Sequence, residues 1–341
     1  MIHSIRPPHY DDKIIFDITM NLYLYPAVII AHRLGIFEFI AERPCNMVDI
    51  GAATNIDKRP VEAIMAALEA LKLITSEKGK FYLAPETDAF LLKSSPHYFG
   101  YYWDLLYDNS ETFSLKNLEG AIRKNIPQVY GEQEVYETHG VDADKADRFT
   151  RAMHSLSIGS ASLWPTRLSL SSHRVALDIG GASGIHAIGL MAHWPRLTCT
   201  VFDLPEVCPL ATDYAQRYGF SDRISTHGGD MWCDPYPSAD LHLYSNVFHG
   251  WTADKNRFLA QKSYDALPVG GRIVIHEALF ADEKAGPSAL AGYNLLMLGW
   301  TTQGRQYSGK DISDMLTDAG FDTPQVIPSL GYYSIVTAQK V

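Results

Sequence analysis

The chain has 341 residues, of which 46% are hydrophobic, and this length exceeds that of one typical domain. Two domains, each with its own core, are therefore expected. A formal net charge of −10 leaves no basic face for phosphate groups, which argues against nucleic acid as a partner. The four cysteines lack Cys-x-x-Cys spacing, so they indicate reduced thiols rather than a disulfide framework or a zinc site.

The start of the chain bears on where the protein resides. It shows no signal-peptide core, and no apolar run is expected to reach membrane-spanning length. Together with the reduced thiols, these observations predict a cytoplasmic protein that has no membrane partner.

The amino-terminal region predicts three helices followed by a hairpin. Residues 15–34, 47–53 and 59–71 have helical spacing of apolar side chains, and Gly35 is a stop signal for the first helix. Two short β-type runs surround a polar turn within residues 74–83. This is a winged-helix pattern, which serves either packing or DNA binding. The acidic charge of the chain favours packing.

Residues 95–170 are predicted to be mainly helical, with an aromatic segment at residues 96–103. Aromatic side chains at helical spacing are more typical of a core than of a pocket. We expect a first domain over residues 1–100 and a helical linker over 101–172. A ligand-binding domain is expected over 173–341.

Strands alternate with helices from residue 174 onward, which predicts an α/β domain with a mostly parallel, doubly wound sheet. Two further runs, separated by a turn, predict an antiparallel pair that closes the sheet. The predicted parallel strands are 174–178, 198–203, 223–226, 240–245 and 272–276, and the closing pair is 326–330 and 333–338.

A glycine-rich turn follows the first strand of this domain. Gly180, Gly181 and Gly184 lack the Cβ atoms that would keep a ligand from the backbone, so the turn predicts a site for a flat or anionic group at the start of a helix. A dinucleotide fingerprint would place glycines where this chain has Ala182 and Ile185, which disfavours NAD.

Acidic residues end the next two strands on the same edge of the predicted sheet. Asp203 lies about twenty residues after the glycine turn, where a carboxylate can accept hydrogen bonds from both hydroxyls of a ribose. Asp230 and Met231 follow the third strand, where an adenine ring would lie. The sequence therefore predicts a nucleoside-containing ligand.

Three segments resemble motifs of the S-adenosylmethionine (SAM) methyltransferases, in particular the small-molecule O-methyltransferases of plants and bacteria: residues 178–184, 202–207 and 228–232. The resemblance extends from about residue 15 to the end of the chain. It implies SAM as the cofactor, S-adenosylhomocysteine as its product, and a Rossmann-like class I methyltransferase domain. It also implies a small aromatic substrate of the secondary-metabolite type, and an amino-terminal winged-helix domain that forms a homodimer.

The resemblance carries residue assignments with it. The implied cofactor-binding residues are Asp178, Gly180, Gly181, Gly184, Asp203, Leu204, Gly229, Asp230, Met231, Trp232 and Ser245. The resemblance also implies that the linker over residues 101–172 contributes to the substrate pocket. The implied substrate-binding residues are Tyr102, Trp103, Met153, Ser157, Asn294 and Met297.

His249 matches the family's base-bearing motif, Leu-His-Asp-Trp, just past the fourth parallel strand. A neutral imidazole there can accept the proton of a phenol as the methyl group is transferred. Gly250 departs from the family, which usually has aspartate at that position. The two residues that bracket the histidine in plant relatives fall on Glu277 and on Gln306, which is neutral.

Several alternatives remain open on the sequence. Methylation at carbon or nitrogen relies on positioning and tolerates a weaker histidine network. Loss of methyl transfer with retained SAM binding is also compatible with Gly250 and Gln306. His227, His242 and His276 lack the spacing of metal ligands, so no metal is expected.

Overall fold

The computed structural model describes residues 8–130 and 143–341. Two predictions lie outside the described residues: the missing signal-peptide core at the start of the chain, and helical structure within 131–142. The chain divides into two compact units, Met1–Tyr107 and Asp108–Val341. The three-part division expected from the sequence stays a prediction.

The first unit contains the expected helices and hairpin. Its elements are α1 (Lys13–Arg33), α2 (Ile36–Glu42), α3 (Met47–Thr54), α4 (Lys58–Ala70), β1 (Ile74–Glu77), β2 (Lys80–Leu83), α5 (Pro85–Leu91) and α6 (Gly100–Asp108), which ends at the boundary between the units. Gly35, in the left-handed region at φ 71°, ends α1 as predicted, and the chain then forms α2, which the sequence did not predict. The short helix exists because Ile36, Phe37 and Ile40 bury one face in this unit's core.

Helix α1 is unusually exposed for so apolar an element. It has 21 residues, a mean hydropathy of 1.7 over 18 of them, and only 11% of that stretch buried within the chain. Between Lys13 and His32 only Asp17 is charged, so α1 is long and apolar enough to cross a membrane by length and composition. The expectation that no apolar run reaches that length is wrong, although helices of soluble proteins also meet this criterion.

The second unit is an α/β domain. Its helices are α7 (Leu115–Lys124), α8 (Ala143–Leu163), α9 (Ile185–His193), α10 (Cys208–Arg217), α11 (Ala253–Ala266), α12 (Ser288–Trp300) and α13 (Gly309–Asp318), with short 3₁₀ turns at Ser110–Phe113, Trp164–Thr166 and Phe248–Gly250. Its strands are β3 (Val175–Ile179), β4 (Thr198–Asp203), β5 (Ile224–Gly228), β6 (Leu241–Ser245), β7 (Arg272–Ala278), β8 (Asp322–Pro328) and β9 (Tyr333–Gln339).

The seven strands form one sheet in the order β5-β4-β3-β6-β7-β9-β8. Strands β3 to β7 are parallel, and β9 runs antiparallel to both β7 and β8, which confirms the predicted sheet and its closing pair. The central strands have buried apolar side chains on both faces, as a doubly covered sheet requires. The strand order reverses between β3 and β6, and ligands of such sheets bind at that switch point.

Candidate active site

The glycine turn leaves β3 at this switch point. Gly180 and Gly184 both have φ of 69°, which favours glycine, and the turn is held by hydrogen bonds from Gly180 N to Phe202 O (2.8 Å) and from Gly184 N to Gly181 O (2.8 Å). A Cβ on Gly181 would lie 2.7 Å from the carboxyl carbon of Asp178. The turn therefore needs glycine both for its conformation and for its packing.

Asp178 lies beneath the turn rather than on its surface. Its side chain is 1% exposed, and the backbone N–H of Ala187 is the group that favours its charged form. Burial raises the pKa of Asp178 to about 7. The carboxyl group thus supports the turn from below, and its predicted contact with the cofactor stays a prediction.

Asp203 ends β4 beside the turn. Its Oδ2 accepts a hydrogen bond from Ala182 N (2.8 Å) and its Oδ1 from Leu204 N (2.7 Å). Burial raises the pKa of Asp203, and these two N–H groups oppose that shift. Each oxygen keeps acceptor capacity for a further donor, so the carboxylate is fixed in place and still able to bind hydroxyl groups.

The loop after β5 is held by a residue that the sequence did not single out. Lys262 of α11 donates through Nζ to Met231 O and to Asp234 O, both at 2.7 Å. Within the loop, Asp230 N donates to Asp234 Oδ2 and Trp232 N to Asp230 Oδ1, each at 2.8 Å. No local motif marks Lys262, because its partners lie about thirty residues earlier in the chain.

Aromatic rings shape the same loop. A Cβ on Gly229 would lie 2.7 Å from Cζ of Phe202, so the backbone passes directly over that ring. The ring of Trp232 packs edge-on against Trp251, with centroids 4.9 Å apart, and the Lys255 ammonium group lies over both rings. This loop offers flat apolar surface next to a fixed carboxylate.

His249 lies in the 3₁₀ turn Phe248–Gly250, after β6. Its Nδ1 is 2.7 Å from Oε2 of Glu277 on β7, and both side chains are almost fully buried. Glu277 Oε1 also accepts hydrogen bonds from the backbone N–H of Phe248 (2.8 Å) and of His249 (3.3 Å). Because an ionised carboxylate only accepts, Nδ1 carries the proton, and the lone pair of Nε2 is left to act as a base.

Tyr293 is a further residue that sequence analysis missed. Its hydroxyl lies 3.5 Å from Nε2 of His249, and the two rings have centroids 5.4 Å apart. Tyr293 immediately precedes Asn294, which was a candidate, but no motif distinguished it. Its hydroxyl lies on the Nε2 side of the imidazole, opposite the nitrogen that contacts Glu277.

Gln306 lies near the loop that carries His249, and backbone hydrogen bonds of Arg305 and Gln306 hold it there. Arg305 N donates to His249 O (2.7 Å), and Gln306 N donates to Asn294 Oδ1 (3.0 Å). The Gln306 side chain is 4% exposed, and its amide atoms have no hydrogen-bond partner among the described residues. The structure therefore brings Gln306 to this region, but without a hydrogen bond from its side chain to the His249 ring.

Four of the proposed substrate residues lie in the second unit, Met153 and Ser157 on α8 and Asn294 and Met297 on α12. Ser157 is buried and accepts a hydrogen bond from Asn246 Nδ2 (3.3 Å), which links α8 to the loop that carries His249. Met153 is half-buried one turn earlier, and Met297 is 1% exposed. Their contacts with a substrate stay predictions.

The other two substrate candidates, Tyr102 and Trp103, belong to α6 in the first unit. Tyr102 packs against Phe99, with ring centroids 5.5 Å apart, and Trp103 packs edge-on against His32 at 5.7 Å. Within this unit both rings serve the core. A role in substrate binding stays a prediction.

The described part of the chain contains no set of side chains that could bind a metal ion. No group of three or more His, Cys, Asp and Glu side chains with suitable placement occurs there. His242 instead pairs with Ser263, with Nδ1 3.0 Å from its hydroxyl, and His227 stacks on Phe202.

A family model for the O-methyltransferase domain matches residues 115–322. The chain belongs to this O-methyltransferase family. A 3-hydroxy-5-methyl-1-naphthoate 3-O-methyltransferase of Streptomyces sahachiroi is 30% identical over 320 residues, which cover 92% of this chain and 90% of that protein. An acetylserotonin O-methyltransferase of Gallus gallus is 28% identical, with 96% and 97% covered.

A solved structure of this family also has the same fold as this chain. The crystal structure of human N-acetylserotonin methyltransferase in complex with SAM superposes with a TM-score of 0.84 at 24% identity, covering 98% of this chain and 99% of that one. These findings confirm the predicted fold and family, and with them an enzyme that is a SAM-dependent methyltransferase.

Proposed function

We propose that this enzyme transfers the methyl group of SAM to a hydroxyl of a small aromatic substrate, with His249 as the general base. The observation that carries the proposal is the buried His249–Glu277 pair, which leaves the lone pair of His249 Nε2 as the proton acceptor. Bound SAM supplies an electrophilic methyl group. The protein must align the acceptor oxygen and remove its proton as the new bond forms.

The carboxyl edge of the sheet suits SAM for two reasons. The glycine turn leaves its backbone accessible to a ligand, and the Asp203 carboxylate next to it is held in place. We assign the methionine end to the turn at Gly180, Gly181 and Gly184, and the ribose to Asp203, whose two oxygens are held by backbone N–H groups. We assign the adenine to the loop that Lys262 holds in place. The remaining contacts of this assignment are Asp178, Leu204, Gly229, Asp230, Met231, Trp232 and Ser245.

The substrates of the relatives and the side chains of the candidate pocket residues both favour an aromatic substrate. The relatives named above methylate a hydroxynaphthoate and acetylserotonin. Met153 and Met297 are adaptable apolar side chains that suit a flat ring, and Ser157 and Asn294 provide polar contacts at its rim. We place Tyr102 and Trp103 in the same role, and we expect a substrate of the secondary-metabolite type.

Labelled SAM tests this function directly. The enzyme is incubated with methyl-labelled SAM and a panel of hydroxynaphthoates, hydroxyindoles and simple phenols, and the products are identified by mass spectrometry. We expect S-adenosylhomocysteine and a labelled methyl ether from at least one acceptor. Label on carbon or nitrogen, or no transfer to any hydroxyl in the panel, would contradict the proposal.

We further propose that the enzyme is a homodimer built through α1. Ile14, Ile15, Phe16 and Ile18 are each at least 60% exposed, so this part of the helix is exposed on more than one face. Exposed apolar surface of this extent marks an interface, and a second copy that surrounds the helix would bury all of its faces.

Light scattering decides this proposal. We expect twice the 38.0 kDa chain mass at micromolar concentration, and a shift towards the monomer for Phe16→Asp. Val269→Asp, which alters an apolar side chain that is 78% exposed in the second unit, is the matched control and should remain dimeric. A monomeric wild-type protein, or one that floats with phospholipid vesicles through α1, would overturn the proposal.

We place the enzyme in the cytoplasm. All four cysteines are free, and Cys45, Cys199 and Cys208 are buried, which suits a reducing compartment. Cell fractionation should recover the enzyme in the soluble cytoplasmic fraction, and recovery with membranes would contradict this placement.

A further inference from the structure

A chain of polar side chains is buried under the edge of the sheet. The Trp164 indole donates through Nε1 to Nδ1 of His186 (3.0 Å), and His186 Nε2 lies 2.7 Å from the hydroxyl oxygen of Ser245. That oxygen lies 3.0 Å from Nδ1 of His276. The indole and both imidazoles are almost fully buried, whereas Ser245 is partly exposed. The hydrogen bonds of both imidazoles therefore converge on Ser245, which is the partly exposed residue among these four.

Ser245 lies at the switch point of the sheet. It is the last residue of β6, which pairs with β3, and β3 leads into the glycine turn. A Cβ on Gly180 would lie 3.0 Å from Cγ2 of Val247, so the segment that begins at Ser245 borders the turn. The hydroxyl is thus on the same edge as the glycine turn.

The direction of the first hydrogen bonds follows from chemistry. An indole can only donate, so Nδ1 of His186 carries a lone pair and its Nε2 carries the proton. Burial lowers the pKa of His186 to about 3 and holds the pKa of His276 well below its ordinary value. Both rings are therefore neutral near pH 7, and His186 donates to the oxygen of Ser245.

The second imidazole can be assigned in the same way. Nε2 of His276 is buried and has no hydrogen-bond partner among the described residues, while the ring stacks on Tyr333 with centroids 4.9 Å apart. A buried unpaired N–H is the rarer arrangement, so Nε2 carries the lone pair and Nδ1 carries the proton. His276 then also donates to Ser245. An oxygen that accepts from two imidazoles keeps its own proton for a third partner.

We propose that His186 and His276 fix the Ser245 hydroxyl as a hydrogen-bond donor for the carboxylate of SAM. The proposal rests on the proposed function, because it takes the methionine end of SAM to lie at the glycine turn. SAM presents both an ammonium group and a carboxylate at that end, and only the carboxylate accepts a hydrogen bond. His186 and His276 are positioning residues, and Ser245 makes the contact.

A ligand that lacks the carboxylate separates this role from a structural one. Binding of SAM and of decarboxylated SAM is measured by calorimetry for the wild type and for Ser245→Ala. Since a hydrogen bond to a charged group is lost, the substitution should weaken SAM binding by roughly tenfold to a hundredfold. Decarboxylated SAM, which keeps the ammonium group, should change by less than about twofold.

Substitutions of the buried histidines complete the test. His186→Phe should weaken SAM binding in the same selective way but to a smaller extent, because one of two orienting donors remains. His242→Phe is the matched control, since His242 is also a buried histidine and lies on β6 with Ser245, but its Nδ1 is 3.0 Å from the hydroxyl of Ser263 instead. It should lower stability without changing the ratio of the two affinities.

The outcomes are distinguishable. If Ser245→Ala weakens both ligands equally, weakens decarboxylated SAM more, or leaves both unchanged, the assignment of Ser245 as a carboxylate donor is wrong. If the wild type binds neither ligand, the proposed function itself fails.

Discussion

Glu277 holds His249 by both its ring and its backbone. Oε2 lies 2.7 Å from Nδ1 of the ring, and Oε1 accepts the backbone N–H of His249 at 3.3 Å and that of Phe248 at 2.8 Å. Asn256 adds a hydrogen bond from Nδ2 to Phe248 O (2.8 Å). The family's usual aspartate is absent at Gly250, yet the loop that carries the base is fixed by these contacts.

Replacing Glu277 by glutamine tests this arrangement. The amide keeps an oxygen for the backbone N–H groups but cannot stabilise a protonated imidazole as a carboxylate does. We expect kcat to fall by about ten- to a hundredfold with little change in the Kd of SAM. Steady-state kinetics and calorimetry together check both parts, and an unchanged kcat would show that the carboxylate charge is dispensable.

Asp203→Ala should weaken SAM binding. If the carboxylate accepts the ribose hydroxyls, its loss should cost about 2–3 kcal/mol in charge-assisted hydrogen bonds. Asp213→Ala is a suitable control, because Asp213 pairs only with Arg217 on the surface of α10 in the described structure. Equal SAM affinities of the two variants by calorimetry would refute the ribose assignment.

Lys262→Met should loosen the loop after β5. The substitution keeps an apolar stem but removes the donor shared by Met231 O and Asp234 O. We expect the Kd of SAM to rise by roughly tenfold or more, since each lost hydrogen bond from a charged group weakens the loop that receives the adenine. Lys310→Met, which removes an exposed ion pair with Asp314, should leave the Kd unchanged.

The buried Asp178 predicts a pH dependence of stability. Its pKa is about 7 in the folded chain but near 4 when unfolded, so between these values the folded state binds more protons. The free energy of unfolding should therefore fall, relative to Asp178→Asn, as pH rises from about 4 to 7. The difference should be on the order of a few kcal/mol. Urea titrations of the SAM-free proteins measure it, and a difference that rises or stays constant with pH would contradict the prediction.

The sequence predicted the parts of the fold and site that depend on local patterns. The glycine turn, Asp203 and the alternation of strands and helices all follow from residue types at short spacing. His249 was found through a four-residue motif. Helix α2 was missed because its seven residues are too few for a periodic signal next to a glycine stop.

Long-range contacts could not be predicted in this way. His186 and Ser245 are 59 residues apart, and Lys262 lies 31 residues from Met231, so only the packed sheet and helices bring them together. His276 showed no role in the sequence beyond that of an unsuited metal ligand, whereas its Nδ1 lies 3.0 Å from the Ser245 hydroxyl in the structure.

The turnover of His249→Ala on acceptors of graded acidity tests the central claim most directly. A phenol that is protonated at neutral pH needs the base, whereas one that is already ionised does not. We predict that kcat falls by roughly 10² to 10⁴ for the weakly acidic acceptors and much less for the most acidic ones, with SAM affinity unchanged. Near-normal turnover of the alanine variant on a weakly acidic phenol would contradict general-base catalysis by His249.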